Sequence, residues 1–287
     1  MIDGMSRLLI APAAIACFGL VMPGDAARAQ VNAGAIELAP HRAVYDLKLA
    51  SSSGKRSLEA VRGRILYDFA GSTCEGYSLQ FRQVTELDSG EGKSVTSDLR
   101  MTNWEEGAGK SFRFMTQNFL DGKPSDGADG RAEEGAAGVS VELAKPEKKQ
   151  IALGAVVFPS EHMRRIIAAA RNGKTLVEVA VYDGSETGEK VYNTLTVIGR
   201  EIAPGERPPT DAAAGKQELA AMKRWPMTVS YFERGKAAAG GEQTPAYAIT
   251  FEVYENGVSR ALKLDYGDFT LTGEMTTLEL GAAKPCR

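Results

Sequence analysis

Little in this 287-residue chain is suited to metal or nucleophilic chemistry. Its three cysteines and two histidines are scattered, whereas metal sites draw ligands of these types from short, characteristic spacings. There is no Gly-x-Ser-x-Gly elbow to present a serine nucleophile. The only imidazoles that could serve as general bases are His41 and His162, and neither lies in a recognisable triad motif. No pair of carboxylates stands out as glycosidase machinery among the many acidic residues. A formal charge of −3 gives no basic face for nucleic acid and no polybasic anchor for anionic lipid. Past residue 29 no stretch approaches the ~18 apolar residues of a membrane helix, so a soluble mature protein is expected. No solenoid-like repeat is present either.

One stretch imitates a nucleotide site. Gly107-Ala108-Gly109-Lys110-Ser111 ends like a phosphate-binding loop, but Trp104 stands where the first glycine belongs. Phe112, Phe114 and Met115 then follow in strand spacing, not helix spacing, so no helix N-terminus would face a phosphate. A hairpin turn is the expectation, and no nucleotide or other cofactor is predicted.

What is present begins with an export signal. Arg7 supplies a positive n-region, residues 8–22 an apolar run, and Ala27-Arg28-Ala29 small residues at a cleavage site. Residues 1–29 are read as a cleaved signal peptide and 30–287 as one mature domain. The alternatives are a retained anchor and a lipoprotein modified at Cys17. Export places Cys74 and Cys286 in an oxidising compartment, where two cysteines have a single intramolecular pairing. Free or intermolecular thiols are the alternative.

The mature sequence is dominated by period-two alternation, the mark of half-buried strands. Ala43, Tyr45, Leu47 and Leu49, for example, share one face. Strands are predicted at 41–50, 61–69, 77–87, 95–104, 110–120, 138–143, 175–182, 190–200, 227–234, 246–254, 259–266 and 269–280. Asn256-Gly257 and Tyr182-Asp183-Gly184 carry the residues that tight hairpins need. Phe158-Pro159-Ser160-Glu161-His162 opens a helix with Ser160 as its N-cap; an apolar stripe of Met163, Ile166, Ile167 and Ala170 follows, and Asn172-Gly173 closes it. A shorter helix is predicted at 217–223, and the proline-rich stretch 203–215 reads as a surface loop. So many antiparallel strands must close or curl to hide their edges. Phe69, Tyr77, Phe81, Phe112, Phe114, Tyr231 and Phe251 are assigned to core. Trp104 and Trp225, each bordering a turn, are either packing or contact residues.

These residues carry a family resemblance. His41-Arg42-Ala43-Val44-Tyr45-Asp46-Leu47, Cys74-Glu75-Gly76-Tyr77 with Phe81-Arg82, Phe158-Pro159-Ser160 with His162, and Leu264-Asp265-Tyr266-Gly267-Asp268-Phe269 before Cys286 resemble the EipB family. That family comprises periplasmic cell-envelope integrity proteins of Gram-negative bacteria, long catalogued as a domain of unknown function. The resemblance implies a mainly β fold: one large antiparallel β-spiral, or open broken barrel, of about a dozen strands with one or two crossing helices. It also implies a Cys74–Cys286 disulfide, a periplasmic location, no enzymatic activity, and a role in keeping the envelope intact under stress. Two functions are then expected in order. The first is binding of envelope or periplasmic proteins; the alternative is carriage of lipid or a lipidated chain on the concave sheet face.

Overall fold

In the computed structural model, residues 36–53, 58–90, 92–236 and 243–282 are described. The residues read as a signal peptide, with Cys17, and Cys286 lie outside them. Alternation builds one antiparallel sheet of fourteen strands. The first eight are β1 (His41–Ser52), β2 (Ala60–Ser72), β3 (Gly76–Asp88), β4 (Ser94–Glu105), β5 (Ser111–Leu120), β6 (Lys123–Gly135), β7 (Gly138–Lys145) and β8 (Lys149–Gly154). Helix α1 (Pro159–Arg171) leads to β9 (Leu176–Val181) and β10 (Tyr192–Ile198). Helix α2 (Gln217–Ala220) precedes β11 (Arg224–Glu233), β12 (Tyr247–Tyr254), β13 (Ser259–Asp265) and β14 (Phe269–Leu280).

The order across the sheet is β8-β7-β6-β5-β4-β3-β2-β1-β14-β13-β12-β11-β10-β9. The first and last strands therefore meet in the middle, Tyr45 opposite Met275, and the two edges are β8 and β9. Those edges do not pair as strands. The chain leaving β8 touches β9 at one parallel bridge, where the Val157 N–H donates to the Ala180 carbonyl at 2.8 Å and the Tyr182 N–H to the Val157 carbonyl at 2.9 Å. Helix α1 starts there, and its Ile166, Ile167 and Ala168–Ala170 pack onto Phe69, Tyr77, Trp225, Met227 and Phe251. The mainly β open sheet expected from the sequence is what the chain forms. No helix among the described residues is long and apolar enough to cross a membrane.

Four local expectations change. Strands β6 and β8 were not predicted. β6 reads Lys123-Pro-Ser-Asp-Gly-Ala-Asp-Gly-Arg-Ala-Glu-Glu-Gly135, with no large apolar residue to alternate. Its glycines are there for room: a Cβ on Gly130 would lie 2.8 Å from the Glu142 carbonyl and from Phe114 Cζ. β8 is a six-residue edge strand with no alternating pattern of its own. The α1 N-cap position is Phe158, not Ser160, and the helix lacks a local side-chain cap. The Tyr182-Asp183-Gly184 stretch opens a ten-residue connection between β9 and β10, not a tight hairpin. Finally, the 203–215 loop is only partly a surface loop. Asp211 and Ala214 are buried, and Arg260 donates to Asp211 at 2.6 Å while Arg224 and Arg260 both hold Glu252, at 2.7 and 2.6 Å. The Gly107–Lys110 stretch is the expected turn, the Gly109 N–H donating to the Glu106 carbonyl at 2.8 Å.

Candidate functional site

Strand register aligns the inward residues into rows. Tyr45, Ile65, Gln83 and Leu99 are successive partners across β1 to β4, and Phe69, Leu79, Asn103 and Phe114 are partners across β2 to β5. Because strand side chains alternate faces, each row lies on one side of the sheet. The curl of the sheet and the first turns of α1 enclose a cavity of about 600 Å³ behind these rows. Its wall is chiefly aromatic and aliphatic, with Tyr67, Phe69 and Tyr77 stacked in sequence at 6.0 and 5.3 Å between ring centroids. Ligand sites are typically concave, mostly apolar and ~300–1,000 Å³ in volume, with few polar groups.

The carboxylates in the wall fall at two places. The first is the start of α1. Glu105, at the end of β4 and 2% exposed, accepts hydrogen bonds from the Ser160 and Glu161 N–H groups at 2.7 and 2.8 Å. A carboxylate at a helix N-terminus satisfies orphan donors and complements the dipole. Here it comes from a distant strand and replaces the missing local cap. Burial nevertheless dominates and pushes the Glu105 carboxyl up to about 7. Nearby Asn103, 7% exposed, has no hydrogen-bond partner at Oδ1.

The two histidines line this cavity and each has its own task. His41 stacks on Tyr67 at 5.3 Å and its Nδ1 lies 2.8 Å from the Ala39 carbonyl, to which it donates. Burial lowers its pKa. The Thr194 hydroxyl donates to the Val179 carbonyl at 2.8 Å, so His162 Nε2–H, 3.3 Å away, donates to Thr194 Oγ1. Burial lowers His162 to about 4 and keeps it neutral at physiological pH. Each ring thus ties chain segments together. Among the described residues no group of three or more His, Cys, Asp or Glu is placed to hold a metal.

The second polar place is the β9–β10 connection. Asp183 faces the cavity with Tyr192, Tyr231 and Tyr247 beside it. The Tyr231 and Tyr247 rings stack at 4.4 Å, and Tyr192 stands edge-on to both. The Ser185 N–H donates to Asp183 at 3.0 Å. Burial raises the Asp183 pKa. Sequence reading placed Asp183 in a tight turn. Only its place in a loop pressed against three tyrosines reveals the inward carboxylate.

The family model for EipB-like proteins matches residues 32–281, nearly the whole described chain. The chain belongs to the EipB-like family. It is 34% identical over 248 residues to the cell envelope integrity protein EipB of Brucella abortus, covering 86% of each chain. It also resembles the crystal structure of a β-barrel-like protein of a domain of unknown function from Brucella abortus. That match has a TM-score of 0.80 and 33% identity, and covers 86% of this chain and all of the other. The family resemblance read from the sequence holds. The family's remaining predicted site residues are the cysteines. Cys74 lies in the turn between β2 and β3, and its predicted partner Cys286 is outside the described residues.

Trp225 is core, 2% exposed. Trp104 lies on the outer face, with the Arg113 guanidinium 5.4 Å over its ring.

Proposed function

We propose that this chain is a periplasmic envelope-integrity protein that works as a binding protein, holding an apolar or lipid-like ligand in the cavity inside its sheet. The observation that carries this is the cavity of about 600 Å³ with aromatic and aliphatic walls. A folded interior is normally close-packed, so a void of this size with apolar walls has the character of a ligand site. Each methylene transferred into it would gain about 0.8 kcal/mol. The relative's name, cell envelope integrity protein, supports the envelope role. A binding role rather than a catalytic one is supported by the hydrogen bonds that commit His41 to the Ala39 carbonyl and His162 to Thr194.

The Cys74–Cys286 bridge belongs to the same proposal. Leu280 at the end of β14 is opposite His41, and His41 is opposite Phe69, whose strand runs on toward Cys74. The chain after Leu280 thus starts two strands from Phe69. A bridge there would hold the C-terminal tail across the middle of the sheet.

A fluorescent apolar probe tests the cavity. It should bind the mature protein and be lost on Leu79→Trp, which fills the void without altering the circular dichroism spectrum. Equal binding to both proteins would refute the cavity as the site. Binding of an envelope or periplasmic protein is the second reading. It is supported by Leu176 on edge strand β9 and its partner Val197 on the neighbouring β10, at 58% and 47% exposure. Photo-crosslinking from position 176 in live cells should then yield a discrete adduct, and no adduct would remove this reading.

A further inference from the structure

Charge around the cavity is one-sided. Its lining contains three carboxylates, Glu105, Asp183 and Glu186, and no lysine or arginine among the described residues. Two of the three are accounted for. Glu105 receives the α1 amides, and the nearby Arg164 is taken by the Gly107 carbonyl and Glu161. Glu186 pairs with Lys190 at 2.6 Å and accepts from the Tyr192 hydroxyl at 3.1 Å. Asp183 is different. It accepts from Ser185, yet no basic side chain among the described residues pairs with it. Asp183 is half-buried; a partly desolvated carboxylate without a countercharge costs stability, and such groups concentrate at functional sites.

The groups around Asp183 fit a cation. The stacked pair Tyr231–Tyr247 and the edge-on Tyr192 form a wall of three rings within 4.4 to 5.9 Å of one another. Aromatic faces attract ammonium groups, more strongly where water is excluded. The register also places this cluster toward one end of the sheet. Tyr231 is opposite Tyr247 and Ala248 is opposite Asp265, so Tyr266, 38% exposed, lies at that same end. The wall deeper in, at Phe69, Tyr77 and Ile166, is apolar and buried.

We propose that the cavity selects its ligand by head charge: it takes a single-chain or acylated amphiphile with an alkylammonium head, the ammonium paired with Asp183 and walled by Tyr192, Tyr231 and Tyr247, and it rejects anionic heads. This rests on the reading that the cavity holds an apolar ligand. An anionic head would meet the unpaired Asp183 carboxylate in a partly dehydrated site, where like charges repel more strongly than in water.

Displacement of a neutral fluorescent apolar probe from the mature protein tests it, using three amphiphiles with the same twelve-carbon tail below their micellar concentrations. Dodecyltrimethylammonium should displace the probe at about tenfold lower concentration than dodecanoate, with dodecyl maltoside between them. Asp183→Asn should erase most of the ammonium preference and leave the maltoside curve in place. Tyr247→Leu gives an independent second variant and should weaken the ammonium curve alone. If all three tails displace the probe equally, or if dodecanoate is favoured, the head-charge proposal is overturned while the cavity reading stands. An ammonium preference unchanged in both variants also overturns it, by placing the cation elsewhere. Displacement by none of the three removes the cavity reading itself and the proposal with it.

Discussion

Replacing Glu105 with glutamine should change how stability depends on pH more than it changes stability at any one pH. Burial raises the Glu105 carboxyl from an ordinary 4.5 to about 7 in the folded protein. The folded state therefore holds a proton that the unfolded state has released between those two values. A raised acid contributes stability that is fully present below the unfolded pKa and is lost as pH rises through the folded one. For a shift of this size the contribution falls by about 2.5 kcal/mol between pH 5 and pH 8, at about 1.4 kcal/mol per pKa unit. His162 slopes the other way. Its pKa is lowered from 6.5 to about 4, so it gives stability that is lost as pH falls from about 6.5 through 4. The two slopes oppose each other in the wild type, which is why the variant is needed. Urea unfolding of wild type and Glu105→Gln at half-unit pH steps gives the difference directly. Subtracting the variant isolates Glu105, and the wild-type advantage should be largest near pH 5. The amide also loses one acceptor for the α1 N–H groups, which should cost about 1–3 kcal/mol in the acid range. A difference curve that is flat from pH 5 to 8 would show that the folded Glu105 carboxyl titrates as it does in the unfolded chain and is not raised by burial.

Other consequences follow from packing. Gly130→Val in β6 should destabilise by about 1–3 kcal/mol, since its Cβ would meet the Glu142 carbonyl and Phe114 at 2.8 Å; thermal melting checks this, and an unchanged Tm contradicts it. Asp211→Ala leaves the buried Arg260 guanidinium short of one partner and should cost about 3–5 kcal/mol. Proteolysis should then cut first within 203–215, and an intact loop would speak against its being held by that pair. Cys74→Ser should lower the Tm, with a loss of up to about 5 kcal/mol for a loop so long. Identical melting of oxidised wild type and the variant would contradict a structural bridge.

The sequence disclosed the sheet because alternation of residues such as Ala43, Tyr45 and Leu47 is a local signal. It could not disclose β6, whose buried residues are only Ala128 and Ala132 and whose Gly127 and Gly130 allow close approach to Thr116 and Phe114. The helix was legible, its cap was not. Ser160 has the right chemistry for an N-cap, yet the carboxylate that serves lies 55 residues earlier on β4. The cavity was hidden for a related reason. Tyr67, Phe69 and Phe81 have the spacing of core residues whether the space behind them is filled or hollow. Asp183 looked like a turn residue because Asp-Gly suits turns; its inward aim depends on β10, β11 and β12 packing tyrosines beside it. The histidines line the cavity, and nothing local to either one signals that their ring nitrogens are committed to Ala39 and Thr194.

The most direct test of the ligand-holding role is the mass of the protein as cells make it. Mature protein isolated from its native compartment without detergent should show, in native mass spectrometry, a fraction carrying an extra noncovalent mass. Organic extraction should release that mass as an amphiphile, and Leu79→Trp should lack it. A clean apo mass for the wild type, together with no binding of the fluorescent apolar probe, would contradict the account.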